Sequence, residues 1–292
     1  MRCNRDIIDR YNICNEKITI RGSVRILDDK IVIKDKKRDD IDDIYGYLKS
    51  RSFDYFPYPI ETSDRYEVYP YLKDMYEPYE QKAMDLMHLL SLLHSKTTFY
   101  REVDIDRNKE IYENISGEIE YLDSFYSDLI GKIEKEVYMS PSSYLIARNI
   151  NIIFGSIYFA RDNLDKWYDM VYDKKNERVV NIHNNICLDH YIKSEKPYLI
   201  SWNYSRIDSP IYDLLSFYRN HYLDFDFIDL FHFYEKSYPL KEEERILLFT
   251  YMAMPSWIGF VNDEMEMCIK INKMIEYMYK TSNLIMNYHK DN

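Results

Sequence analysis

The stretch that most restricts what this chain can become runs from Val179 to Asp213, VVNIHNNICLDHYIKSEKPYLISWNYSRIDSPIYD. A short apolar run, Val179-Val180-Asn181-Ile182, breaks into the polar loop His183-Asn184-Asn185. Two β-type segments follow, Tyr191-Ile192 and Tyr198-Leu199-Ile200, separated by the turn-forming Ser194-Glu195-Lys196-Pro197. A further loop ends in Asp208-Ser209-Pro210, where Ser209 reads as a helix N-cap and Pro210 as the first helical residue. Strand, polar loop, hairpin, polar loop and helix in that order bring two loops to one end of a small sheet. A site can form there.

Upstream, residues 18 to 36 read as three short strands, Ile18-Thr19-Ile20, Val24-Arg25-Ile26-Leu27 and Ile31-Val32-Ile33-Lys34, with turns at Arg21-Gly22-Ser23 and Asp28-Asp29-Lys30. Asp39 to Ser50 is a helix with Ile41, Ile44, Tyr45 and Leu48 on one face, and Tyr66-Glu67-Val68-Tyr69 a further strand. From Tyr79 the periodicity is helical. Ala83, Leu86, Met87, Leu90 and Leu93 form one stripe, and a long helix from about Arg107 to Val137 carries another. Ser140-Pro141 restarts a second long helix, so the two make an antiparallel hairpin. Helices are expected at Pro210 to Tyr222, Phe227 to Tyr234, Glu242 to Met254 and Asp263 to His289. Phe225, Phe227, Phe231, Phe233 and Tyr234 belong to the core on this reading.

The central stretch resembles the catalytic core of the aminoglycoside phosphotransferase and choline-kinase-like superfamily, kinase-fold proteins that phosphorylate small molecules. The superfamily pattern is H-G-D-x-x-x-x-N, a hairpin ending I-D-x, then D-P-x-x-D-L. Here the same frame reads His183-Asn184-Asn185, four residues, His190, then Ile200-Ser201-Trp202, then Ser209-Pro210-Ile211-Tyr212-Asp213-Leu214. The spacing is kept and the chemistry is changed. Asn185 stands at the base aspartate, His190 at a metal-binding asparagine and Ser201 at the metal-binding aspartate, while His183 and Asp213, largely structural in the family, survive. Within the superfamily the chain resembles the spore-coat kinase-like branch of low-GC Gram-positive bacteria, which implies a structural or assembly role.

The resemblance implies an α+β, protein-kinase-like, two-lobed fold. A small β-rich N-lobe of antiparallel strands and one helix would occupy residues 1–72. A helical C-lobe would occupy 73–292, with a long hairpin at 107–173 and degenerate loops at 179–213. Lys34 would be the nucleotide lysine, backbone groups from Tyr69 to Tyr71 would face an adenine, and Asp42 or Asp43 would pair with the lysine. Without that frame, Lys34 reads as an ordinary strand-end lysine. The hairpin loop has a single glycine, Gly22, which disfavours close phosphate approach.

The substitutions have physical consequences. Mg²⁺ wants oxygen ligands, usually one or two carboxylates plus phosphates and water. Ser201 brings no charge, His190 offers a nitrogen better suited to zinc or copper, and the Asn185 amide has no usable basicity for taking a proton. Three functions stay open, among them a pure helical-hairpin interaction module, which would leave the cleft collapsed and filled by side chains. One is a pseudokinase with a binding or scaffold role, retaining some nucleotide or small-ligand binding; the three replacements together favour it. The alternative is an active ATP-dependent phosphotransferase acting on a small-molecule hydroxyl, with Asp189 or Asp208 as substitute metal ligands. ATP and Mg²⁺ are therefore the only cofactors in view, and the metal positions His190 and Ser201 count as degenerate.

Composition narrows the partners. The chain has 292 residues, enough for a large core in two lobes. Its net charge of −11 disfavours nucleic acid or an anionic membrane and leaves a protein or a cationic small molecule open. Cys3, Cys14, Cys187 and Cys268 have no C-x-x-C spacing, which fits free thiols in a reducing, cytoplasmic setting. The N-terminus shows no signal-peptide run, and the apolar run Ile246 to Val261, broken at Pro255, falls short of the roughly 20 residues a membrane span needs. His88, His94, His221, His232 and His289 show no paired zinc-ligand spacing.

Overall fold

A computed structural model describes residues 18–22, 24–103, 105–259 and 261–288. The N-lobe is an antiparallel sheet of Ile18–Arg21 (β1), Val24–Leu27 (β2), Ile31–Asp35 (β3), Glu61–Thr62 (β4) and Tyr66–Pro70 (β5) in the order β1-β2-β3-β5-β4. The β2–β3 turn works because Asp28 and Asp29 both take positive φ, 49° and 51°, as a tight hairpin of matching twist requires. β4 was not foreseen; a two-residue strand is too short to show alternation.

The β3–β5 register decides what faces the C-lobe. Lys34 pairs with Glu67 and Val32 with Tyr69, so these four side chains share one face. The opposite face buries Leu27, Ile31, Ile33 and Val68 as a small core of its own. Helix Ile41–Ser50 (α1) covers the Lys34 face. It buries Ile41, Tyr45 and Leu48, and its Tyr45 hydroxyl lies 3.4 Å from that of Tyr69.

In the C-lobe, Tyr79–Thr97 (α2) buries its expected stripe and also His94 and Thr97. A three-stranded sheet follows, built from Phe99–Glu102 (β6), Asn176–Ile182 (β7) and Arg206–Asp208 (β10), in the order β10-β7-β6. β10 falls in the stretch expected to be loop, and no element is expected at β6. They are short, largely exposed edge strands, and only pairing with β7 defines them.

The long hairpin is Ile105–Ile133 (α3) and Pro141–Val171 (α4). α3 ends four residues before the expected Val137, which with Tyr138 stands 87% and 91% exposed at the hairpin tip, so neither belongs to the buried stripe. α4 starts as expected: the Ser140 hydroxyl accepts from the Ser143 N–H at 3.1 Å, and Pro141 occupies the first turn. Ser140→Ala is therefore expected to cost about 1 kcal/mol, read as a lowered denaturant midpoint at unchanged m-value.

The hairpin Tyr191–Lys193 (β8) and Pro197–Leu199 (β9) precedes Ile211–His221 (α5), Phe227–Ser237 (α6), Glu242–Ala253 (α7) and Glu264–Tyr288 (α8). The α5 helix is counted from Ile211, although Pro210 already has helical dihedrals of −59° and −20°. Phe227, Phe231 and Tyr234 are buried, and Phe225 and Phe233 pack half-buried against them. α4 lies against α3, α7 and α8, so the hairpin is integral to the C-lobe core. Cys187 and Cys268 are free thiols, while Cys3, Cys14 and His289 lie outside the described residues. Among the described residues, no helix is long and apolar enough to cross a membrane.

Candidate functional site

β7 delivers the chain to His183, and one buried carboxylate shapes the turn that follows. Asp213, in the first turn of α5 and 0% exposed, accepts from the backbone N–H of His183 at 2.8 Å and of Asn184 at 2.6 Å. The His94 Nε2 donates to it at 3.1 Å, and the Tyr234 hydroxyl meets His94 Nδ1 at 2.7 Å. The turn needs left-handed backbone at residue 184. Asn184 supplies it with φ 57°, a conformation asparagine tolerates better than most residues. His94 was missed by sequence reasoning. Its one signal was its position at the buried end of the α2 stripe.

His183 itself faces inward. Its Nε2 donates to the Ile200 carbonyl at 2.8 Å, and its ring meets Trp202 edge-on at 4.8 Å. Burial of the ring pushes its pKa down to about 4, so it is neutral near pH 7. The remaining nitrogen, Nδ1, is buried without a hydrogen-bond partner among the described residues. His190 Nδ1 donates to the Asn185 carbonyl at 2.7 Å, and burial lowers its pKa too. This imidazole therefore ties the loop backbone, and the His190 backbone carbonyl accepts from the Ile200 N–H at 2.9 Å. Ser201 then takes a left-handed conformation, φ 71° and ψ 49°, at the end of the β8–β9 hairpin.

Lys34 reaches this group from the other lobe. Its Nζ lies 3.4 Å from Ser201 Oγ and 5.4 Å above the Tyr69 ring centroid. Burial lowers its pKa, with Glu67 across the register acting in the opposite direction. The structure thus gathers Lys34, His183, His190 and Ser201 into one place. Arg38 makes a second tie between lobes, donating to the carbonyls of Ser205 at 2.6 Å and Asn203 at 3.4 Å.

Other expected residues sit differently. The Tyr69 hydroxyl donates to Glu67 Oε2 at 2.9 Å, so this side chain is a prop within the N-lobe. The Tyr71 N–H is committed to the Lys30 carbonyl, Pro70 has no N–H, and Tyr69 pairs with Val32, so backbone donors from 69 to 71 serve the sheet. Asp42 and Asp43 are exposed; the carboxylate facing Lys34 is Glu67, 3% exposed and set there by register. Of the possible substitute metal ligands, Asp189 is exposed. Asp208 is engaged by the Ser209 N–H, by Arg206 at 2.9 Å and by Arg107 at 3.8 Å.

This architecture is similar to solved structures. An aminoglycoside phosphotransferase from Alicyclobacillus acidocaldarius matches with a TM-score of 0.69 over 98% of this chain and 96% of that one, at 10% identity. AMP-bound spectinomycin phosphotransferase APH(9)-Ia matches at 0.56, over 94% and 98%, at 15% identity. ADP-bound APH(2'')-Ib matches at 0.52, over 96% and 98%, at 16% identity. The chain has the aminoglycoside-phosphotransferase fold. No protein-family model and no curated protein matches the sequence.

The aminoglycoside-phosphotransferase fold implies a Mg²⁺ site, which the residues present do not fit. The two positions that the resemblance assigns to the metal offer a serine hydroxyl and an imidazole that anchors the loop, and a lysine ammonium already sits 3.4 Å from that hydroxyl. A dication placed there would meet the like charge of the Lys34 ammonium. Among the described residues, no cluster of three or more His, Cys, Asp or Glu side chains is arranged to hold a metal ion.

Proposed function

We propose that this chain is a non-catalytic member of the aminoglycoside-phosphotransferase fold, with a binding or scaffold role centred on the cleft between its lobes. The observation that carries this reading is the Lys34–Ser201 contact at 3.4 Å. The N-lobe cation rests on the position from which a metal-binding carboxylate would act, and it rests on a neutral hydroxyl. Phosphoryl transfer depends on positioning and on neutralising charge that spreads over the transferring group. A missing general base typically costs a factor of about 10²–10⁴, and a missing electrostatic stabiliser about 10²–10³. Asn185, His190 and Ser201 remove both kinds of help together.

The test is transfer from γ-labelled ATP with Mg²⁺ to hydroxyl-bearing acceptors, an aminoglycoside and choline among them. The expected result is no phosphorylated product above the rate without protein. The triple variant Asn185→Asp, His190→Asn, Ser201→Asp restores the pattern residues and is expected to gain measurable transfer. Saturable turnover by the unaltered chain, lost in Lys34→Met, would establish the alternative of an active small-molecule phosphotransferase.

A further inference from the structure

We propose that α1 and the connector after it, residues 51–60, are a fixed part of the C-lobe, and that the cleft opens and closes by movement of the five-stranded sheet alone. This goes beyond the reading above and holds whether or not the chain transfers phosphate. Chain order puts α1 between β3 and β4, hence in the N-lobe. Packing puts it elsewhere. Ile41, Tyr45, Leu48, Phe53 and Phe56 belong to the large core that the C-lobe helices build, whereas Leu27, Ile31, Ile33 and Val68 form a separate core under the sheet.

Hydrogen bonds hold the same segment at both ends. Before α1, Arg38 donates to the carbonyls of Ser205 at 2.6 Å and Asn203 at 3.4 Å. After α1, two helix ends meet. The last carbonyls of a helix have no partner inside it, and α1 supplies donors to those of α2. Arg51 donates to the carbonyls of Lys96 at 3.0 Å and Thr98 at 3.1 Å, and the Tyr47 hydroxyl to that of Thr97 at 3.4 Å. Lys96 answers from α2, donating to the Ser52 carbonyl at 2.7 Å. Each cation sits at the negative end of the other's helix, where its charge is favoured. The connector extends the attachment: its Tyr55 carbonyl accepts from the Leu199 N–H at 2.7 Å, and Phe53 and Phe56 meet the Trp202 ring edge-on at 6.1 and 6.0 Å.

The sheet is held less firmly. Among the described residues, the inner face of β3 and β5 is hydrogen-bonded across to the rest of the molecule at two points, Lys34 to Ser201 and Tyr69 to Tyr45, both at 3.4 Å. These are longer than hydrogen bonds usually are. Val32 and Tyr69 add apolar contact with the main core. A sheet with its own core and few crossing bonds can turn as a unit. A helix bonded at both ends stays with what it is bonded to.

Hydrogen exchange of the full chain, read by mass spectrometry, tests this. Amides of α1 and of the connector are expected to exchange as slowly as those of α2, within about tenfold, and those of β3 and β5 at least about tenfold faster. Arg51→Ala removes two charged bonds and is expected to speed α1 and the connector about tenfold, with a smaller change in β3 and β5. Lys34→Met removes a tie of the sheet and is expected to speed β3 and β5 about threefold or more while α1 is unchanged; it keeps the test open if Arg51→Ala fails to fold. Exchange of α1 in step with β3 and β5 and apart from α2 overturns the proposal. So does one common rate for the sheet, α1 and α2, or a variant that moves the sheet and α1 alike. The transfer assay bears on none of these outcomes, so the two readings fail separately.

Discussion

Asp213→Asn is expected to destabilise the protein by about 1–3 kcal/mol, the range for leaving a buried hydrogen-bonding group unsatisfied. The carboxylate is 0% exposed and accepts three hydrogen bonds, from the N–H groups of His183 and Asn184 and from His94 Nε2. An amide of the same shape has one acceptor oxygen. Its NH₂ would face at least one of those donors, leaving a buried N–H unsatisfied. The loss falls on the turn carrying the left-handed Asn184, which has no other means of being held at φ 57° than the contacts at its ends. Guanidinium unfolding reads the effect as a lower midpoint at unchanged m-value. A cycle with His94→Ala separates the network from bulk effects: the two changes share a hydrogen bond, so their costs are expected not to add. A loss below about 1 kcal/mol would show that Asp213 does not organise the loop.

That network also shows where sequence reasoning succeeds and where it stops. His183 and Asp213 were legible because their spacing sits inside one continuous stretch, and period-2 and 3.6-residue patterns marked the strands and helices around it. His94 and Tyr234 complete the same network from α2 and α6, 119 residues before Asp213 and 140 residues beyond His94. Nothing local announces such neighbours. Lys34 stood out only through the kinase-like frame laid on β3, and its contact with Ser201 spans 167 residues and appears only when the lobes are assembled. Glu67 was read as part of a strand; its role opposite Lys34 depends on the β3–β5 register, which a one-residue slip would have erased. The kinase-like frame likewise left Asp42 and Asp43 as candidates; both are exposed, and Tyr45 is the α1 residue whose hydroxyl reaches Tyr69. The changed motif residues were readable as chemistry. Their consequence, a lysine resting on a serine, was a matter of geometry.

Acid should weaken the fold well before its carboxylates titrate. His183 is fully buried, and burial pushes its pKa from the ordinary 6.5 down to about 4. The unfolded chain therefore takes up this proton first as pH falls, and protonation favours unfolding. The contribution of the neutral ring is complete above about pH 6.5, declines through the interval and is gone below about pH 4. A gap of roughly two and a half pH units at about 1.4 kcal/mol each makes the full loss about 3.5 kcal/mol. His190, lowered by burial as well, acts in the same direction. The measurement is the unfolding free energy at intervals from pH 7.5 to 4.5 for the unaltered chain and for His183→Asn. The variant is expected to start lower, because it loses packing against Trp202 and the bond to the Ile200 carbonyl, and then to fall less steeply. Parallel slopes for the two proteins would mean that His183 titrates as it does in water, and that the loop after β7 is open to solvent rather than sealed around a neutral ring.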